Sequence, residues 1–473
     1  MRHSLVLFFT IALLASCGER SSSTQTEKPT PTKTNIIYIM ADDLGYGDLG
    51  VYGQDKFATP NLDQMAQEGL LFRRHYAGST VCAPSRSVLM TGEHTGHTFI
   101  RGNREVKPEG QWPLSDSVRT VAEILKEAGY YTGAIGKWGL GAPGSSGEPN
   151  AQGFDFFYGY NCQREAHSYY PDHLWRNRER VELPENAEGK TDLFSQDLMM
   201  EETMGFLEAH QDEAFFLYLP YTIPHASIEA PETDLAPFVG KYDETPFEGG
   251  HYRATDQPHA TFAAMVSRLD GDVGRILKKL RQLGIAENTL VIFTSDNGPH
   301  AEGGADPKFF NSGGGLRGIK RDLYEGGIRV PMIAWWPGTV QAGTQTNHIS
   351  AFWDFLPTAC DIASTEIPEL SDGISYLQTL KGRQQPEHGF LYWEFHEQGG
   401  KQAVLMDPWK GVRLGVNQNP EASIELYNLE SDPAEENNIA KQHPDIVAQI
   451  AEIMEASHEK SPDFAFPWES ESD

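Results

Sequence analysis

Two short apolar runs, each followed by a pair of oxygen-bearing side chains, constrain the fold of this chain more than any other feature. The first run covers residues 35–40 and the second covers residues 290–294. Continuous apolar runs of this length are typical of strands buried on both faces of a parallel sheet. The side chains that follow the two runs are Asp42, Asp43, Asp296 and Asn297. Because ligands bind at the carboxyl ends of such strands, we expect these four side chains to form one site.

The four side chains offer only oxygen atoms to a cation. Two adjacent carboxylates at a strand end are costly to bury unless a positive charge joins them. Oxygen ligands suit Ca²⁺ best, and Mg²⁺ is the lesser alternative. The sequence therefore predicts a calcium site at this edge of the sheet.

Helical and strand patterns alternate along most of the chain. Helical periodicity covers residues 118–128, a strand pattern follows at 131–135, and a long amphipathic helix is predicted at 261–283. Gly284, directly after that helix, suits the left-handed position at which many helices end. This alternation predicts an α/β fold in which helices flank a large central sheet.

The pattern changes past about Gly373. Shorter strand-like pieces follow, the first at residues 390–395, and a closing helix is predicted at 443–456. We therefore expect a large domain at residues 35–373 and a smaller C-terminal subdomain, an antiparallel sheet plus a helix, at 374–473.

The amino end indicates export rather than a membrane span. A basic start precedes an apolar run at residues 5–14, which is too short to cross a bilayer. The ending Leu-Ala-Ser-Cys resembles a bacterial lipobox, which implies a lipoprotein signal peptide at residues 1–17 and lipidation of Cys17. Residues 18–34 read as a solvated tether. We expect an exported bacterial lipoprotein, periplasmic or anchored in the outer membrane through its lipid; an uncleaved anchor is the alternative.

The remaining cysteines place few constraints on the fold. If Cys17 carries lipid and Cys82 is modified, only Cys162 and Cys360 are left as thiols. They could pair in an oxidising periplasm, but their number does not require it. Since the sequence has no Cys-x-x-Cys pair and no cluster of His and Cys, no structural zinc site is expected.

Cys82 opens the segment Cys-Ala-Pro-Ser-Arg, which continues through Ser-Val to Leu-Met-Thr-Gly. Pro84 suits the first turn of a helix, so backbone N–H groups can point at an anion beside Cys82. Arg86 adds a permanent positive charge there. A cysteine in an apolar run is usually an inert core residue, so the segment matters because of its other members.

The spacing of cysteine, proline, serine and arginine resembles the modification signature of the type I sulfatases, an arylsulfatase-like family of the alkaline phosphatase superfamily. The resemblance implies that a maturation enzyme oxidises Cys82 to formylglycine, whose aldehyde is hydrated to a geminal diol. It also implies an alkaline phosphatase-like fold with a large mixed central sheet, and sulfate ester hydrolysis as the activity of the domain at residues 35–373.

Three further elements resemble sulfatase motifs. Residues 136–141 read Gly-Lys-Trp-Gly-Leu-Gly, which would make Lys137 a ligand of the sulfate group. Gly139 stands where the family commonly has a histidine that is taken to help release sulfate. The segment that begins at Lys320 matches the second sulfatase signature and implies a second catalytic lysine. The Pro-His pair that ends at His225 resembles the element whose histidine faces the leaving oxygen.

The resemblance also implies a role for each of these groups. The calcium ion would hold the modified Cys82 and a sulfate oxygen, and Asp296 would accept the proton of the attacking hydroxyl. His225 would protonate the departing sugar oxygen. The charge on the transferred group would be stabilised by Arg86, Lys137 and Lys320. The base for the elimination step is open, because Gly139 cannot act as one.

Aromatic side chains crowd residues 153–175 beside arginine and histidine. Such amphipathic rings suit stacking on a sugar ring, so we expect a sulfated carbohydrate as the substrate, with galactose-type units as the first candidate. The residues predicted to contact the substrate are Arg101, Arg164, His167, Trp175 and His300.

The formal net charge of −29 argues against a nucleic-acid partner, because phosphate binding needs a basic face. It also repels an anionic sulfated substrate at long range, unless salt shortens the Debye length to roughly 3 Å at 1 M. We therefore expect a salty habitat or a small sulfated sugar as the substrate.

Two other functions are open at this point. A phosphomonoester or phosphodiester hydrolase of the same superfamily would share the fold, but such enzymes usually hold two zinc ions on histidines, and the oxygen-only ligands favour a sulfatase. A catalytically impaired glycan-binding lipoprotein would explain Gly139. The intact Cys82, Arg86, Lys137, His225 and Lys320 argue against it.

Overall fold

A computed structural model describes Met1 and residues 33–469. Residues 33–469 belong to one compact unit. The predicted signal peptide beyond Met1, with Cys17, and the predicted tether up to residue 32 lie outside the described residues. Within the described ranges, no helix is long and apolar enough to span a bilayer.

Eleven strands of the described chain form the central sheet. In chain order they are β1 Asn35–Ala41, β2 Leu70–Tyr76, β3 Tyr131–Lys137, β4 Phe156–Tyr160, β5 His173–Arg176, β6 Glu179–Glu182, β7 Phe215–Pro220, β8 Thr289–Ser295, β9 Arg329–Trp335, β10 Thr344–Thr346 and β11 Ser350–Ala351. The strand order is β10-β2-β9-β8-β1-β7-β3-β4-β5-β6, and β11 also pairs with β2. β1 is parallel to β7 and β8, whereas β9 is antiparallel to both β2 and β8. The predicted large mixed sheet is therefore confirmed.

The helices pack against this sheet and against the smaller C-terminal sheet described below. In chain order they are α1 Pro60–Glu68, α2 Cys82–Thr91, α3 Val121–Glu127, α4 Ser195–Ala209, α5 Glu232–Leu235, α6 Pro258–Leu283, α7 Glu325–Ile328, α8 Phe355–Ala363, α9 Leu377–Leu380 and α10 Pro444–Ala456. α3 begins later than its periodicity predicts because Thr120 caps it, forming a capping box with Glu123. α6 ends at Gly284 as predicted, in a left-handed conformation with φ +72°.

The central strand β1 explains why its sequence is a continuous apolar run. Ile36, Tyr38 and Met40 pack into the core on one face of the sheet. Ile37 and Ile39 pack into the core on the other face. Because both faces are covered, every residue of the strand is buried and none alternates with a polar one.

A four-stranded antiparallel sheet lies in the C-terminal part, in the order β12 Leu391–Phe395, β13 Lys401–Met406, β14 Trp409–Leu414 and β15 Ile424–Asn428. One face, including Val404 and Leu426, packs with Ile450 of α10. The other face, including Trp393, joins the core that also contains residues of α2. The smaller sheet and its helix are as predicted, while the boundary between residues 373 and 374 stays a prediction.

Candidate active site

The ends of β1 and β8 position the polar pairs of the site. The two strands are parallel and in register, with Ala41 opposite Ser295. Asp42 and Asp296 therefore leave the sheet side by side, and the Asp296 N–H donates to Ala41 O at 3.0 Å. The expectation that parallel strands deliver both pairs to one edge follows directly from this register.

The four predicted oxygen-bearing side chains meet there, and all are fully buried. The Asp43 N–H donates to Asp296 Oδ1 at 3.0 Å, and Asn297 Nδ2 donates to Asp43 Oδ1 at 2.7 Å. Arg86 lies between Asp42 and Asp296, with its Nη2 atom 3.3 Å from Asp42 Oδ2 and 2.9 Å from Asp296 Oδ2.

Two buried lysines bring further positive charge. Lys137, the last residue of β3, places Nζ 2.6 Å from Asp42 Oδ2 and 3.5 Å from Cys82 Sγ. Lys320 places Nζ 2.8 Å from Asp43 Oδ2. Burial alone would favour the neutral form of each group, but the attraction between the paired charges outweighs the cost of burial. Lys137 holds the pKa of Asp42 well below its usual range, and Asp43 raises the pKa of Lys320 well above its usual range.

Cys82 is the first residue of α2, with Sγ 3.6 Å from Asp42 Oδ1. Burial raises the pKa of its thiol to about 12. Ser85 fixes the first turn of the helix by donating from Oγ to Asp296 O at 2.6 Å. The Ala83 N–H donates to Asn103 Oδ1 at 3.0 Å, so this N–H is occupied by a side chain rather than facing an anion.

His225 follows β7 and faces Lys320. Its Nδ1 donates to Ala226 O, which leaves Nε2 to accept a hydrogen bond from Lys320 Nζ at 3.1 Å. Burial and the neighbouring Lys320 lower the pKa of His225 well below its usual range. The imidazole is therefore neutral, and Nε2 lies 3.5 Å from Asp43 Oδ2.

The residues present fit a hard divalent cation. Asn297 Oδ1 is buried and accepts no hydrogen bond from any residue that the structure describes. Burial and the adjacent Asp42 raise the pKa of Asp296 to about 7, which is the strain that a cation among these carboxylates would relieve. Ligand atoms of Asp42, Asp43, Cys82 and His225 all lie within 4.8 Å of one another. Three carboxylates and one amide oxygen are hard donors.

Cys82, His225 and Lys320 form the floor of a cleft of about 470 Å³, and the buried carboxylates that they contact are not themselves lining residues. The residues that line it are Cys82, Asn103, Glu105, Gln111, Gln163, Arg164, His167, His225, His251, Tyr252, Glu302, Lys320 and Arg321. Of the five residues predicted to contact substrate, Arg164 and His167 lie on this wall. Arg164 is at the rim, with Nε and NH2 each 2.6 Å from a carboxylate oxygen of Glu105.

The other three predicted contacts are not among the residues that line the cleft, although His300 lies next to it, with its ring 5.8 Å from that of His225. Arg101 is buried, and its NH1 atom lies 3.0 Å from Glu394 Oε1 in the small sheet. The Trp175 indole N–H donates to Glu109 Oε1 at 2.6 Å. His300 uses both ring nitrogens locally: Nε2 donates to Pro224 O at 3.2 Å, and Nδ1 accepts from the Glu302 N–H at 3.1 Å.

Several wall residues come from segments without any regular pattern. His251 Nε2 lies 3.0 Å from Nδ1 of His167, and the Tyr252 hydroxyl donates to Glu302 Oε2 at 3.1 Å. Sequence reasoning missed these residues and Gln163. The sequence held one signal for Gln163, which was Gly139. A position without a side chain leaves space that a neighbouring side chain can fill.

Comparison with known proteins identifies the family of this arrangement. The family model described as Sulfatase matches residues 34–365. The chain belongs to the sulfatase family. A second model, N-sulphoglucosamine sulphohydrolase, C-terminal, matches residues 318–460. The protein is therefore a sulfuric ester hydrolase, and sulfatases generally use a formylglycine and a divalent metal ion.

Similar sulfatases match most of the chain. It is 29% identical to N-acetylgalactosamine-6-O-sulfatase of Bacteroides thetaiotaomicron, over 94% of this chain and 97% of that protein. It is 33% identical to human N-acetylgalactosamine-6-sulfatase, over 76% of this chain and 69% of that protein. Among solved structures, Ps i-CgsB in complex with k-i-k-neocarrahexaose has a TM-score of 0.77 and 28% identity, over 92% of this chain and 94% of that one.

Proposed function

We propose that this sulfatase removes sulfate from a saccharide, with a formylglycine made from Cys82 and a Ca²⁺ ion held by Asp42, Asp43, Asp296 and Asn297. The observation that carries the proposal is that Cys82, at the floor of the cleft, lies among three buried cations that pair with Asp42, Asp43 and Asp296. Those cations are Arg86, Lys137 and Lys320. The names of the relatives and the bound oligosaccharide of the neighbour support a sulfated sugar.

The charges of the floor favour an anionic group. Three carboxylates face three cations there, so a bound divalent cation would leave the site with a net positive charge. This local charge offsets the long-range repulsion from a chain with a net charge of −29. Ca²⁺ is favoured over Mg²⁺ because the protein offers several carboxylate and amide oxygens in one place, whereas Mg²⁺ usually keeps several waters as ligands. When bound, the ion would supply Lewis-acid stabilisation of negative charge.

The chain's own residues divide the remaining work. One hydroxyl of the hydrated aldehyde at position 82 would attack sulfur and give its proton to Asp296, as the bond from sulfur to the alcohol oxygen breaks. Loss of the proton from the second hydroxyl would then re-form the carbonyl and break the C–O bond to sulfate. Lys137 and Arg86 hold the transferred group from one side of Asp42, and Lys320 holds it from the side of Asp43. His225 is the residue proposed to protonate the oxygen of the departing alcohol, and Lys320 Nζ lies beside it, 3.1 Å from His225 Nε2.

The sequence supports a proposal for the maturation and location of the protein. We propose that a separate maturation enzyme oxidises Cys82 and that the amino-terminal lipobox directs export and lipidation at Cys17. Galactose-type units are the first candidate for the sulfated sugar, in keeping with the substrates named for the relatives.

Mass spectrometry of the peptide that contains Cys82 tests the proposal, on protein produced with a maturation system. We expect an aldehyde in place of the thiol, together with release of sulfate from a panel of defined galactose and N-acetylgalactosamine sulfates. An intact thiol in fully active protein would overturn the proposed mechanism. A modified residue without turnover of any sugar sulfate would overturn the proposed substrate class.

A further inference from the structure

The space beside Gly139 is filled by another side chain. Gly139 has φ +78°, two residues after Lys137, and its N–H donates to Asn161 O at 3.0 Å. A Cβ atom at this position would lie 2.5 Å from Gln163 Nε2 and 3.8 Å from Arg86 Cδ. The amide of Gln163 therefore occupies the place that any side chain at position 139 would need.

Gln163 Nε2 is a buried donor without a ligand of its own. The atom has no hydrogen-bond partner among the residues that the structure describes. Leaving such a donor unpaired costs free energy, which an apolar side chain of similar size would avoid. Gln163 lines the same cleft as Cys82, and its backbone N–H donates to Gln111 Oε1 at 3.4 Å. The chain thus holds an unsatisfied donor beside the cations that face the sulfate.

We propose that Gln163 contacts the substrate and donates a hydrogen bond from Nε2 to an oxygen of the sulfate group. This inference rests on the proposed function, because it takes a sulfate as the occupant of the cleft. A carboxamide is neutral and does not accept a proton near neutral pH. Gln163 therefore binds the anion without transferring a proton and without adding charge beside Arg86.

Two substitutions separate this role from simple filling of space. Gln163→Met keeps the length of the side chain and removes the donor, while Gln163→Glu keeps the shape and adds a negative charge. If Nε2 binds sulfate, Gln163→Met weakens the binding of inorganic sulfate by about tenfold or more, and Gln163→Glu weakens it further. If the side chain only fills space, Gln163→Met binds sulfate like the wild type, while Gln163→Glu weakens binding through its charge alone.

Inorganic sulfate is the probe, and its dissociation constant is measured from the rise in melting temperature and by inhibition of sugar desulfation. Gln152→Ala is the matched control. Gln152 is a buried amide whose Nε2 donates to Ser146 O at 2.8 Å, and it is not among the residues lining the cleft. We expect this control to lower stability and to leave the affinity for sulfate unchanged.

The outcomes distinguish the two proposals. Wild-type protein that binds sulfate, loses that binding in Gln163→Met and desulfates no sugar would contradict the proposed substrate and support the role of Gln163. Active wild-type protein whose sulfate affinity is unchanged in Gln163→Met would refute the role of Gln163 alone. Stronger binding in Gln163→Glu than in Gln163→Met would refute it as well.

Discussion

Two buried clusters of charge differ in how completely their atoms are paired. In the Glu394 cluster, on strand β12, both carboxylate oxygens accept two bonds. Oε1 accepts from Arg101 NH1 at 3.0 Å and from His396 Nε2 at 2.8 Å. Oε2 accepts from the Tyr392 hydroxyl at 2.8 Å and from His458 Nδ1 at 2.7 Å. No capacity of this carboxylate is left for a ligand.

The floor of the cleft is also rich in ion pairs, yet it retains unpaired atoms. Asn297 Oδ1, Gln163 Nε2 and Arg86 Nε are buried and have no hydrogen-bond partner within residues 33–469. Orphans also occur elsewhere in the described chain, including His396 Nδ1 in the Glu394 cluster, so the three near this cleft matter because they lie close to Cys82 and the buried carboxylates. The comparison teaches that a carboxylate such as Glu394, with both oxygens fully paired, holds the fold together, whereas open polar atoms beside a reactive residue are available to a ligand.

Replacing the nucleophile at the floor of the cleft should have the largest effect of all. Cys82→Ala should lower sugar desulfation by at least about 10⁴-fold, the scale expected when a nucleophile is removed. The melting temperature should shift by only a few degrees, because one small side chain is lost. Cys360→Ala, at another buried free cysteine, is the control and should stay active. Residual activity above one hundredth in Cys82→Ala would contradict this assignment.

Removing divalent cations should have the next largest effect. Dialysis against EDTA is expected to lower activity by about 10²–10³-fold, since a Lewis acid contributes several kcal/mol to the stabilisation of developing charge. Added Ca²⁺ should restore more activity than added Mg²⁺, and it should raise the melting temperature of the wild type more than that of Asn297→Ala. Full activity after exhaustive chelation would be incompatible with the proposed site.

The Glu394 cluster should respond in stability instead of activity. Glu394→Gln leaves the buried Arg101 without its charge partner and should lower the free energy of unfolding by about 3–5 kcal/mol. Although burial opposes it, the bonds from His396 and His458 hold the pKa of Glu394 well below its usual range. This carboxylate therefore stabilises the fold above about pH 4.5, and its contribution is lost as pH falls further.

Urea denaturation across pH checks this prediction, with activity measured per folded molecule. Glu213→Gln is the control, because Glu213 forms a solvent-exposed ion pair with His210 and should change stability by less than about 1 kcal/mol. A large loss of specific activity in folded Glu394→Gln would mean that the pairing of a cluster does not predict its role.

A substitution at Asp48 should have the smallest effect. Its carboxylate is intermediate between the fully paired Glu394 and the unpaired atoms of the cleft, because only one of its oxygens has a partner. Its Oδ2 atom accepts from the Gly45 N–H at 2.8 Å, while Oδ1 has no partner in the described part of the chain. Burial raises the pKa of Asp48 to about 7. The ionised form therefore weakens the fold, and the penalty grows as pH rises from about 4 to 7. Asp48→Asn should gain about 1–2 kcal/mol over the wild type at pH 8 and nothing at pH 4. Equal stability differences at both pH values would contradict this explanation.

The sequence predicted the parts of the site that are encoded locally. Asp42 and Asp296 follow apolar runs whose burial on both faces sets their strands, and the strand register then brings them together. Cys82, Lys137 and Lys320 stand in short motifs of fixed spacing. In these cases a residue's neighbours in sequence determine where it points.

The wall of the cleft could not be predicted in the same way. Tyr252 and Gln163 lie outside helices and strands, so no periodicity fixes the direction of their side chains. Arg101 and Trp175 have the residue types that bind sugars, but tertiary contacts with Glu394 and Glu109 occupy their polar atoms. Residue type indicates what a side chain can bind, whereas the fold decides whether it is available.

The inward face of the small sheet limits how this protein can be recombined with its relatives. Trp393 belongs to the same apolar core as Val88 of α2, and its indole N–H donates to Ala77 O at 2.9 Å, five residues before Cys82. Lys410 of the small sheet also pairs with Glu325 at 2.9 Å, five residues after Lys320. A chimera that took its last hundred residues from another sulfatase would have to preserve both contacts. Without them, the segments that carry Cys82 and Lys320 would lose a packing partner.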